Sequence, residues 1–69
     1  MDGAILCKYN GIITVLLTGD YSELEKKISA LRKVTVGKEI KLVKTTGINM
    51  TEVIKSQALI QDKFGSAFD

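Results

Sequence analysis

The chain has 69 residues, a hydrophobic fraction of 45% and a net charge of +2. A domain this short hides only about 60% of the surface its unfolded form exposes, so its core is thin, but the apolar content is too high for a disordered chain. One cysteine, Cys7, and no histidine exclude an intrachain disulfide and a four-ligand zinc site, leaving regular packing or self-association to stabilise it.

Residues 4–9 and 12–18 are β-branched and aliphatic runs on either side of Asn10-Gly11. Asn-Gly between apolar runs predicts a hairpin, because a type I′ turn needs positive φ at both central positions. A two-residue turn sets Tyr9 opposite Ile12, Cys7 opposite Thr14 and Ile5 opposite Leu16. Strand alternation then places Ala4, Leu6, Ile13, Val15 and Leu17 on one face and Ile5, Cys7, Tyr9, Ile12, Thr14, Leu16 and Thr18 on the other. The first face reads as core. The second is not polar either, so it too needs cover.

Gly19-Asp20-Tyr21-Ser22 leads into a helix over 21–33. Ser22 with Glu25, or Asp20 with Glu23, makes a capping box. Leu24, Ile28 and Leu31 form the apolar stripe, and Arg32 and Lys33 suit the helix dipole at the C-terminal end. A loop at 35–37 precedes a third strand at 38–45, with Ile40 and Leu42 on one face. A helix between the second and third strands permits a parallel crossover if those strands are neighbours.

Asn49 with Glu52 is a further capping box, and Ile48 with Val53 a hydrophobic staple. The predicted helix runs over 50–64 and stops at Gly65, a natural residue just past a helix end. Residues 66–69 form a short tail in which Phe68 can fold back. At 100° per residue, Met50, Val53, Ile54, Phe64 and Phe68 share a side with Gln57 and Gln61, while Leu59 points away. Two amides in an apolar stripe must find partners, at the core margin or in a second chain. The fold class is therefore α+β: one domain over 1–69, a three-stranded sheet and two helices in the order β-β-α-β-α.

No pattern for catalysis emerges, and no enzyme is expected. Histidine, the usual proton carrier near neutral pH, is missing. Cys7 sits in an aliphatic strand without a base. Glu23, Glu25 and Glu52 belong to first helical turns, and no pair of acids sits in an apolar setting. The glycines form neither a P-loop nor a dinucleotide motif. No cofactor and no metal are expected.

The longest apolar stretch, 12–17, falls far short of the roughly 20 residues that span a bilayer. Met1-Asp2-Gly3 lacks the flanks of a secretory leader. A cytoplasmic protein without a membrane partner is expected. A thin core, a hairpin apolar on both faces and a last helix with apolar surface on more than one side point to self-association and to binding a larger protein. The candidate interface is Ile5, Tyr9, Ile12, Leu16, Gln57, Leu59 and Gln61, and the expected role is that of a homo-oligomeric accessory or inhibitory factor. The alternative is electrostatic nucleic-acid binding. The segment 26–44 sets seven cationic residues, Arg32 among them, against Glu39 alone. Lys26, Lys27, Lys33, Lys38, Lys41 and Lys44 are the candidate contacts, through the phosphate backbone rather than the bases.

Overall fold

The computed structural model describes residues 1–68. Strand β1 spans Asp2–Tyr9, β2 Ile12–Asp20 and β3 Glu39–Lys44; helix α1 spans Tyr21–Val34, α2 Met50–Val53 and α3 Gln57–Phe64. The sheet order is β2-β1-β3, and both ladders are antiparallel. The hairpin, α1 and β3 follow the sequence reading. β2 and β3 are not neighbours, so the conditional parallel crossover does not form: β1 lies between them.

The hairpin turns as Asn-Gly predicts, with Asn10 at φ 52° and Gly11 at φ 77°. The register agrees from Tyr9↔Ile12 through Cys7↔Thr14 to Leu6↔Val15, and then shifts. Ile5 pairs with Leu17, not with Leu16, because a β-bulge inserts one residue into β2. Beyond the bulge the side-chain alternation of β2 is reset, which corrects the expectation that Leu17 belongs to the core face.

Burial explains why β1 shows no polar alternation. Ala4, Ile5 and Leu6 are fully buried. Ile5 and Cys7 pack with Leu24 and Ile28 of α1 and with Ile40 of β3. Ala4 and Leu6 pack with Ile13, Val53, Ile60 and Phe64. Helices therefore cover both faces of the sheet, and a central strand buried on both sides reads as a continuous apolar run. Each buried leucine, isoleucine or valine among these contributes about 1.5–3 kcal/mol by leaving water.

α1 is capped by Asp20, whose carboxylate accepts from the Glu23 amide at 3.4 Å. Of the two helix starts the sequence offers, the earlier cap is used, while the Glu23 carboxylate accepts from Lys26 rather than reaching back to Asp20. Asn49 caps α2 in the same way through the Glu52 amide, at 3.4 Å.

The single last helix expected over 50–64 is two. α2 ends at Val53, and Ser56 is extended (φ −139°, ψ 130°) before α3 begins. Thr51, Val53 and Ile54 are β-branched and weaken helical propensity, and serine favours the residue before a helix. An unbroken helix would also centre Gln57 between Val53 and Ile60 on the buried stripe; the break moves it to the rim. Gly65 does not stop the chain either. Its φ is −55°, and the backbone continues as a 3-10 turn over Gly65–Phe68. Phe68 packs against the α3-side core, as expected; residue 69 of the predicted tail lies outside the described residues.

Candidate interaction surface

β2 and β3 are the two edges of the sheet, and their side chains differ in kind. β3 reads Glu-Ile-Lys-Leu-Val-Lys, with charges at Glu39, Lys41 and Lys44. β2 reads Ile-Ile-Thr-Val-Leu-Leu-Thr-Gly-Asp, with no charge before Asp20. Ile12 is 55% exposed, Leu16 39% and Leu17 38%. An edge strand presents unpaired N–H and C=O groups, and lysine or proline along it is the usual protection against a second strand. β2 has neither.

The backbone of this edge can be followed from the turn. In a two-residue hairpin Tyr9 and Ile12 close the ladder as the hydrogen-bonded pair, so Ile13 and Val15 turn their backbone groups away from β1. The Ile13 carbonyl accepts from Nε2 of Gln57 at 2.9 Å. Gln57 is therefore a core-margin residue with a partner in its own chain. Beyond it, a cleft of about 410 Å³ runs beside β2, lined by Val15, Leu16, Leu17, Ile54, Gln57 and Ile60 among others.

The structure separates the sequence-derived interface residues. Tyr9, Ile12, Leu16, Leu59 and Gln61 are exposed, and Ile12 and Leu16 lie on the β2 edge. Ile5 is a correction: it is fully buried beneath α1 and offers no surface. The face that seemed to need a second subunit is covered there by the chain's own helix. Two residues of this surface were missed. Leu17 was assigned to the core because no residue type announces the bulge. Ile54, half exposed, was assigned to an apolar helical stripe that ends one residue earlier.

Of the candidate lysines, Lys41 is set apart from the others. Lys41 pairs with Leu6, whose side chain belongs to the α3-side core, so Lys41 lies on that side of the sheet. Lys26, Lys27 and Lys33 are carried by α1 on the opposite side. Lys38 sits over the Tyr9 ring, 5.3 Å from its centroid, and Lys44 over the Tyr21 ring at 5.6 Å. Lys26 also faces Glu23 at 3.5 Å. Each exposed contact of this kind is worth about 1 kcal/mol or less.

Other chemistry is sparse. Cys7 is a buried free thiol between α1 and β3. Among the described residues no three His, Cys, Asp or Glu side chains cluster as a metal site, and no helix is long and apolar enough to cross a membrane. A second cleft, of about 340 Å³, lies at the far end of the strands between Asp2, Thr18, Thr45, Asn49 and Thr51. Asp20 nearby has its carboxyl held below the ordinary value, chiefly by a hydrogen bond from the Met1 amino group at 3.3 Å and then by the Glu23 amide.

These features define a three-stranded antiparallel α+β domain with one charged and one uncharged sheet edge. No protein-family model, no curated protein and no solved structure matches the chain.

Proposed function

We propose that this chain is a small, non-enzymatic, cytoplasmic protein-binding module that works as a homo-oligomer, acting as an accessory or inhibitory factor on a larger protein. The observation that supports this reading is the outer edge of β2, uncharged from Ile12 to Thr18, with Ile12, Leu16 and Leu17 exposed and a partly apolar cleft alongside. Backbone groups at such an edge give affinity to any added strand, and the flanking apolar side chains give it selectivity. Nucleic-acid binding through 26–44 is the weaker reading, because Lys41 lies across the sheet from the lysines of α1, and Lys38 and Lys44 are laid over tyrosine rings at opposite ends of β3.

Size-exclusion chromatography with light scattering, at moderate and high salt, tests the self-association. The expected result is a dimer or larger species at both salt concentrations, since apolar burial is not screened. A monomer at every concentration overturns the homo-oligomeric reading. Retention on heparin at low salt, lost steeply as salt rises, would favour the lysines instead.

A further inference from the structure

We infer that the β2 edge is occupied by the β2 edge of a second copy running antiparallel, so that two sheets join into one. The inference rests on the homo-oligomeric reading above and specifies its surface and its geometry.

Three observations carry it. First, pairing through β2 removes no charged side chain of 12–18 from water, whereas pairing through β3 would desolvate Glu39, Lys41 and Lys44. Second, the available stretch is defined. Gln57 already covers the Ile13 carbonyl, so the ladder begins at Val15 and runs across the bulge toward Thr18, the bulge setting the spacing of the outward backbone groups. Leu16, Leu17 and Ile54 flank that stretch and supply the apolar surface that a short ladder lacks.

Third, charge selects the orientation. The hairpin-tip end carries Lys8, Arg32, Lys33 and Lys38 against Glu39; Lys38 over Tyr9 ties the loop after α1 to the tip. The other end carries Asp2, Asp20, Glu23 and Glu25 against Lys26, Lys44 and the Met1 amino group, a net charge of −1, with Lys27 midway along α1. Antiparallel pairing sets the basic end of each copy beside the acidic end of the other. Parallel pairing would set like beside like.

Two measurements test this on the intact chain. Leu16→Lys places a charge on each copy at the join and should weaken self-association by about tenfold or more. Thr18→Lys, at an exposed position outside the core, should do the same, and circular dichroism melts check that both variants fold. In parallel, Val15→Cys, Leu16→Cys, Leu17→Cys and Thr18→Cys are oxidised one at a time, with the wild type and its buried Cys7 as the blank. Antiparallel pairing predicts disulfide dimers peaking at one position and falling off on either side. Cross-linking at every position would mean parallel pairing and overturn the orientation. An oligomer that survives both lysine variants and forms no cross-link overturns the β2 join while leaving the homo-oligomeric reading in place. A wild-type monomer overturns both.

Discussion

The two edges of this sheet flank the same central strand, yet they are finished differently. β3 carries Glu39, Lys41 and Lys44 within six residues; β2 has no charge from Ile12 to Thr18. In β3, Lys44 also lies over the Tyr21 ring. β2 instead has a bulge and a single amide from Gln57. The difference teaches that burial of a sheet's faces and protection of its edges are separate problems. Both faces here are covered by helices, so whatever binds laterally must do so at an edge, and the uncharged edge costs less to desolvate.

The largest change comes from removing the strand that both edges share. Leu6→Ala should cost about 2–5 kcal/mol, on the order of half of the roughly 3–10 kcal/mol that a chain of this length has; urea unfolding should show a steep loss, and both edges should disappear together. Gly3→Ala acts on the β3 side. An added Cβ would sit 3.0 Å from the Val43 carbonyl and from Tyr21, so a loss of about 1–3 kcal/mol is expected by the same measurement.

The contrast between the edges can also be reversed. Replacing Glu39, Lys41 and Lys44 together with threonine should leave the monomer fold intact and raise the molar mass seen by light scattering, because β3 then resembles β2. If mass is unchanged, edge charge is not what distinguishes the two strands. Gln57→Ala frees the Ile13 carbonyl. It should cost about 0.5–1.5 kcal/mol in stability and strengthen self-association by lengthening the available edge.

The smallest effect is expected at Asp20, where β2 ends. Its carboxyl titrates below the ordinary value, so its ionised form favours the folded state. That contribution is complete above the unfolded carboxylate pKa and is lost as pH falls through the lowered folded one. The stability difference between the wild type and Asp20→Asn should therefore shrink in acid, as urea midpoints measured across pH 2–6 would show. A difference that stays constant over that range would mean the side chain acts by shape alone.

Local chemistry was legible in the chain. Asn10-Gly11 specified its turn because few other dipeptides accept positive φ twice in succession. Asp20 and Asn49 marked helix starts because an amide within three residues can reach their oxygens. The apolar stripe of α1 and the unbroken apolar run of β1 announced burial. Of the candidate surface, Ile12 and Leu16 could be named from strand alternation alone.

What depended on partners distant in sequence could not be read. Leu17 left the core pattern because a bulge forms where β2 must fit Ile5 and Leu6 of β1, and neither leucine signals it. Ile5 was buried because α1 crossed to that face while α2 and α3 took the other, a choice set by packing across the whole sheet. Gln57 reached the Ile13 carbonyl only after the last helix broke at Ser56. By itself the sequence determined the hairpin, the third strand and where α1 and α2 begin, because capping, turn geometry and periodicity act over a few residues. Only the tertiary structure decided which strands are edges, because an edge is defined by the neighbours a strand does not have.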